Sequence, residues 1–368
     1  MCIAMSLHKK SIVAVFIYLG WVCVCFAEEQ EIISSTEATV SSSALDLIPK
    51  IIDATPTIFP PESNHRHVPE GKDTQKDTWI DRQQYYLQNL VDRSSEKIDL
   101  WFGEPDLNNP ASATLRVLLD GTWDRYEDSA IRPRVRGKIK LPTLEKKLSV
   151  VFGDDSLDNE LEHNIAITNE NPELDPNQHY NSKRNRTDNA SVALRWSEWS
   201  KRLPFESDID LGVRSGDDLY IRLKAKKTWQ LNNDFFSIAE QIYRYGIDSE
   251  NYLRTNLELT HARPNHPTLS NQFSLIYADD QDEDLTWQNF SFRQHQFFHS
   301  HQFNYGLYTD GYYNHDKLRL NRWGPFISWR QPMFREWFFV QTDLNYLDDD
   351  RKHRDHYLGL LIRLEAIF

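Results

Sequence analysis

The chain is short of cysteine: it has three, and Cys2, Cys23 and Cys25 all lie at its start. From Glu28 onward no disulfide, thiolate nucleophile or cysteine metal site is available. Beyond the same opening segment there is no apolar run of the ~20 residues that a membrane-spanning helix needs. Glycine-rich phosphate loops, zinc-finger spacings and internal repeats are also missing. Basic charge is in deficit, with 42 Lys and Arg against 55 Asp and Glu for a formal net charge of -13. That balance argues against a general nucleic-acid binder. Nothing in these residues implies a cofactor.

The N-terminal region divides by composition. Residues 1–27 have the form of a secretory signal peptide: His8, Lys9 and Lys10, then an apolar stretch from Ser11 to Phe26, then Ala27 before Glu28 and Glu29. An uncleaved anchor is the competing reading, and the short apolar stretch argues against it. Cys23 and Cys25 lack the preceding small residue of a lipoprotein signal. Residues 28–76 are rich in Ser, Thr, Glu and Pro without periodicity, the composition of a disordered linker. His65 and His67 within it are too few to make a metal site. Residues 77–110 form a short helix and lead-in. Trp79, Ile80, Tyr86, Leu87, Leu90 and Val91 recur at helical spacing over Asp77–Asp92, with Asp77 or Thr78 as cap.

From Ala111 the period changes to two. Leu115, Val117, Leu119, Gly121 and Trp123 share one register, and Arg116, Asp120, Thr122 and Asp124 the other. Ile131–Leu141 alternates more cleanly, with Arg132, Arg134, Arg136, Lys138 and Lys140 on one side. Leu219, Ile221, Leu223 and Ala225 oppose Tyr220, Arg222, Lys224 and Lys226. Fourteen such segments occur up to Phe368. Asp234–Tyr245 is the weakest, because Glu240 shares a register with Ile238 and Ile242; losing one hairpin would leave twelve. Connections after odd-numbered segments include the longest, Asp155–Asn189, and several acidic ones. Connections after even-numbered segments are mostly short, and several carry Pro.

The last thirteen residues tie the pattern together. Leu358, Leu360, Ile362, Leu364, Ala366 and Phe368 occupy one register, while Arg363 and Glu365 lie in the other. A strand needs about 9–11 residues to cross a bilayer, and this one suffices. Aromatics make up 12% of the chain, and many of its 11 Trp residues fall near segment ends, as in interfacial girdles. With its alternating final strand ending on Phe, the chain resembles bacterial outer-membrane β-barrel proteins over 111–368. The resemblance implies an all-β fold: a transmembrane antiparallel barrel of about fourteen strands in the outer membrane, preceded by a signal peptide and a periplasmic linker. It also implies outer-membrane lipids as surroundings. Leu358, Leu360, Ile362, Leu364 and Phe368 would then be the signal read by the barrel-assembly machinery.

Function is less legible. The ladder Arg132, Arg134, Arg136, Lys138 and Lys140, extended by Arg222, Lys224 and Lys226, would form a basic lumen wall favouring small anionic solutes. The structural alternative is cross-strand pairing with acids such as Asp120 and Asp124. A porin-like, non-enzymatic channel for small hydrophilic solutes is the leading expectation. A closed barrel serving as anchor or envelope-assembly component is the alternative. A lipid hydrolase using Ser300 with His295, His299 or His301 comes third, since the order of these residues does not reproduce a hydrolase motif. Lys183–Arg186 could meet lipopolysaccharide phosphates, or simply be solvated.

Overall fold

The computed structural model of the chain describes residues 112–368 apart from 127, 142–147, 154–188, 198–204, 216, 265, 280–284, 298–299 and 315–316, together with scattered helical positions between Arg82 and Lys97. The signal segment, the linker, the long connection after the third strand and His299 lie outside the described residues. In the helical stretch, Tyr85 and Tyr86 are exposed. Trp79, Ile80, Leu87, Leu90 and Val91, the apolar stripe expected there, also lie outside the described residues.

Alternation builds fourteen strands: β1 Ala113–Asp124, β2 Asp128–Lys140, β3 Leu148–Gly153, β4 Ser191–Ser197, β5 Glu206–Arg214, β6 Asp218–Gln230, β7 Phe235–Gly246, β8 Glu250–His261, β9 Thr268–Ala278, β10 Leu285–Phe297, β11 His301–Asn314, β12 Lys317–Met333, β13 Arg335–Asp349 and β14 Arg354–Ile367. Each pairs antiparallel with its neighbours in sequence, and β14 pairs with β1 to close a barrel. Closure runs to the last residue, where Leu115 and Phe368 exchange backbone hydrogen bonds of 3.0 and 2.8 Å. A closed sheet has no edge, so every strand finds two partners. The segment with the ambiguous pattern is a full strand, β7, hydrogen-bonded to both β6 and β8. Fourteen strands is therefore the count, and twelve is excluded.

Burial follows the alternation. On β6, Ile221 is 44% exposed while the next residue, Arg222, is 1% exposed. Val117, Leu119, Leu194, Leu211, Leu223, Leu257, Leu259, Ile327, Leu344, Leu358 and Ile362 form an apolar outer wall. An apolar surface this extensive suits lipid rather than water. Arg116, Asp120, Arg134, Arg195, Asp210, Glu240, Arg254, Asp343 and Glu365 face inward and are buried. Among the described residues no helix is long and apolar enough to cross a membrane; the crossing is made by strands.

β10 departs from this rule. The register with β9 and β11 places Asn289, Ser291 and Arg293 on the outer face, beside Phe273, Asn271 and Leu269 on one side and Thr309, Leu307 and Tyr305 on the other. Phe290 and Phe292 point inward instead, packing with Tyr308, Phe326, Leu347 and Tyr357 in an internal aromatic cluster. A lipid-facing Arg costs up to about 2–4 kcal/mol at the midplane and about 0–1 near the interfaces, and Asn and Ser between them would leave polar groups in hydrocarbon, so the inversion calls for a reason. Glu240 on β7 likewise faces inward with Ile238 and Ile242, where Asn256 and Lys224 engage it.

Candidate functional site: the barrel lumen

The inner wall is organised around acids held between bases on adjoining strands. On β1, Asp120 is reached by Arg134 from β2 at 2.6 Å and by Arg363 from β14 at 2.7 Å. On β14, Glu365 is reached by Arg116 from β1 at 3.0 Å and by Arg330 from β12 at 2.8 Å. These two acids bind the first, second, twelfth and last strands into one network. Its position follows from the pairing of Asp120 with Arg363 and of Leu118 with Glu365 across the β1–β14 ladder.

A second network lies across β4 to β9. Asp210 on β5 takes two hydrogen bonds of 2.9 Å from Arg195 on β4 and a further one from Arg222 on β6. Glu240 sits 3.3 Å from Lys224 and accepts from Asn256 at 2.8 Å. The Asn256 amide oxygen in turn accepts from Arg254 at 2.9 Å and from Ser274 at 2.7 Å. Below it, Glu258 accepts from Thr260 and Ser270. Charge-assisted hydrogen bonds of this kind compensate the cost of burying ions.

The eight residues of the expected basic wall all lie on the inward registers of β2 and β6. Arg132 is exposed, Lys138, Lys140 and Lys226 are half-buried, and Arg134, Arg136, Arg222 and Lys224 are buried. They form two patches, because β3, β4 and β5 stand between β2 and β6 and contribute Val151, Ala193 and Asp210 to the inner wall. Arg134, Arg222 and Lys224 each engage an acid. Asp124, the other anticipated counter-charge, accepts the Tyr126 backbone N–H at 2.7 Å and shapes the β1–β2 turn.

Opposite the basic strands, the wall changes character. Ser270, Gln272 and Ser274 on β9, Gln302 and Asn304 on β11, Ser328 on β12, and Gln341, Asp343 and Asn345 on β13 are buried inward-facing polar residues. Gln341 donates to both Asp343 oxygens, at 3.0 and 2.8 Å. The amide and hydroxyl side was not anticipated from sequence. Single Ser, Asn and Gln residues at alternate positions carry no charge signature, though their spacing of two is visible once β9 and β13 are known as strands.

Toward the β11–β12 connection the aromatic cluster meets an ion pair. The Tyr308 hydroxyl donates to Asp310 at 2.6 Å, and Asp310 also accepts from the Arg322 guanidinium and from its backbone N–H at 2.9 Å. Tyr357 continues outward to Tyr126, with ring centroids 5.6 Å apart, and Arg354 covers Tyr126 at 4.9 Å.

Of the hydrolase candidates, Ser300, His295 and His301 are among the described residues. Ser300 is exposed in the β10–β11 turn. His295 stacks on Phe297 and Tyr305 at 6.0 and 5.7 Å, and His301 packs edge-on to Trp329 at 6.5 Å. Both are in the exterior register, within an aromatic belt that includes Phe303. The outward residues of the closing strand, Leu358, Leu360, Ile362, Leu364 and Phe368, join the outer wall, with Trp337 against Phe368 at 6.0 Å.

No family model matches the sequence, and no curated protein matches it. Several solved structures are similar in fold. OmpF of Salmonella typhi, in complex with daunomycin, is 9% identical with a TM-score of 0.41, covering 71% of this chain and 98% of its own. OprB of Pseudomonas putida is 8% identical with a TM-score of 0.41, covering 70% and 94%. The KdgM porin, in complex with oligogalacturonate, is 7% identical with a TM-score of 0.30, covering 48% and 91%. The chain has a class-level resemblance to bacterial outer-membrane β-barrel proteins. That likeness concerns architecture, and the role of the lumen rests on the side chains described above.

Proposed function

We propose that this chain is an outer-membrane barrel whose lumen passes small hydrophilic solutes, with anions favoured along the β1–β8 side. One observation carries the reading: the inward ion pairs named above link adjoining or next-but-one strands, so these charges lie along the wall rather than across the bore. From a strand spacing of ~4.8 Å and a tilt of ~40°, a fourteen-strand barrel is roughly 28 Å across its backbone. That width leaves an axial path between side chains that lie flat. Arg132, Lys138 and Lys226 would supply the basic side of this path, and the β9–β13 wall a side richer in amide and hydroxyl groups. The same reading places the protein in the outer membrane. It assigns recognition by the barrel-assembly machinery to the outward residues of β14.

Single-protein recordings in planar bilayers test the channel. Stepwise conductance is expected, with reversal potentials favouring anions under a salt gradient. Silence at every voltage would reject the channel and favour the second reading, a closed barrel used as an anchor or assembly component. That reading draws support from the depth at which Arg222, Glu240 and Gln341 are buried. Outer-membrane fractionation and heat-modifiable gel migration test the location; a soluble periplasmic product would overturn it.

A further inference from the structure

We propose that the outer face of β9 and β10 is not a lipid face but the contact surface for a second copy of this chain. Between Trp287 and His295, every outward residue of β10 is polar: Asn289, Ser291 and Arg293. Trp287 stacks with Phe273 at 6.5 Å, and His295 belongs to the Phe297–Phe303–Tyr305 belt. These aromatics mark the two interfacial levels, which puts Ser291 midway between them in a strand of constant rise. Equivalent outward positions on the other side of the barrel are apolar, as with Val117 and Leu119 on β1 and Leu360 and Ile362 on β14.

The polar residues form an organised cluster. The Asn271 amide donates to Asn289 at 3.2 Å and to Ser291 at 2.6 Å; Asn289 donates back to Asn271 at 3.2 Å and to the Gln272 carbonyl at 3.1 Å. A second outward polar pair, Thr255 with Gln241 at 2.9 Å, lies on β7 and β8. Apolar side chains flank the cluster, with Leu259, Leu269 and Leu307 strongly exposed. A hydrogen-bonded centre in an apolar rim is the layout of a protein contact.

The chemistry favours a second copy over a different partner. Amide and hydroxyl groups each donate and accept, so this patch complements itself, as symmetric association requires. It displays no carboxylate or concentrated charge that would select an oppositely charged partner. Arg293, nearest the aromatic belt, can extend its guanidinium toward the headgroup level while its stem covers the contact.

Cysteine cross-linking in intact outer membranes tests this directly, because the native Cys2, Cys23 and Cys25 all precede the barrel. On oxidation, Leu307→Cys should give a disulfide-linked dimer well above the unsubstituted chain. Leu119→Cys, on the far wall, should not. Equal adducts at both positions, or none at Leu307→Cys, would overturn the proposal. So would an adduct whose mass is not that of two copies. A second measurement guards against a folding artefact. The triple variant N271L/N289L/S291L gives β9 and β10 the apolar exterior of the other strands. It should keep heat-modifiable migration yet run as a monomer on native mass analysis; a persisting oligomer would reject this face as the contact.

Discussion

Arg363 reaches Asp120 at 2.7 Å across a sequence separation of 243 residues, joining the last strand of the barrel to the first. Arg134 meets the same carboxylate from the other side. Replacing Asp120 with Leu therefore leaves two buried guanidiniums without their shared acid at the seam that closes the sheet. Removing one partner of a buried ion pair costs about 3–5 kcal/mol. The D120L barrel is expected to unfold at distinctly lower urea in detergent or lipid, read as loss of the compact heat-modifiable band. An unchanged midpoint would show that the seam is held by its backbone ladder alone.

The aromatic cluster should separate packing from hydrogen bonding. Phe326 is buried between Phe290 and Phe292, with ring centroids at 5.8 and 6.4 Å. Phe326→Ala is expected to cost about 3–5 kcal/mol through the cavity it leaves. Tyr308→Phe keeps the ring and removes only the hydroxyl, which donates to Asp310 and accepts from Arg322 at 3.4 Å, for a loss of about 1–3 kcal/mol. Equilibrium unfolding of both variants measures the difference. If Y308F proved the more damaging, the Tyr308–Asp310–Arg322 contact would outrank the packing.

Two glycines should respond oppositely to alanine. A Cβ on Gly306 would overlap the Ser291 carbonyl oxygen on the neighbouring strand, a backbone atom that cannot step aside. On Gly121 the nearest atom, the Ile362 carbonyl oxygen, stands 3.8 Å away. Gly306→Ala should therefore lower folding yield and stability. Gly121→Ala should be neutral or slightly stabilising, by up to about 1 kcal/mol, because the unfolded chain loses freedom. Equal effects in refolding assays would contradict this account.

The strands were legible because lipid on one side and polar groups on the other impose a period of two. Closure was legible because β14 repeats that period in full. What the alternation leaves open is which register faces inward when both are mixed. On β10 the rule of apolar residues outward would have turned Phe290 and Phe292 toward lipid; hydrogen-bonded register with β9 and β11 decides otherwise. β7 shows the same limit, since Glu240 among isoleucines reads as a flaw until Lys224 and Asn256 are placed beside it. The partners of the basic ladder were only half visible. Asp120 is on the neighbouring strand in sequence, whereas Arg363, its other partner, becomes a neighbour only through closure.

Arg132 offers the cleanest test of lumen charge, because it is the exposed member of the β2 ladder while Arg134 is tied to Asp120. A unit charge ~7 Å from a permeating ion contributes about 0.6 kcal/mol in water, and reversing its sign doubles the change. Arg132→Glu should therefore shift the reversal potential toward cations, with a several-fold fall in the anion-to-cation permeability ratio. The shift should be largest in dilute salt and shrink toward 1 M, where the screening length falls to about 3 Å. Arg134→Gln should instead weaken the barrel seam with less effect on selectivity, because Asp120 keeps Arg363. If R132E conducts with unaltered selectivity, Arg132 lies outside the ion path and the basic side of the lumen must be sought at Lys138 or on β6.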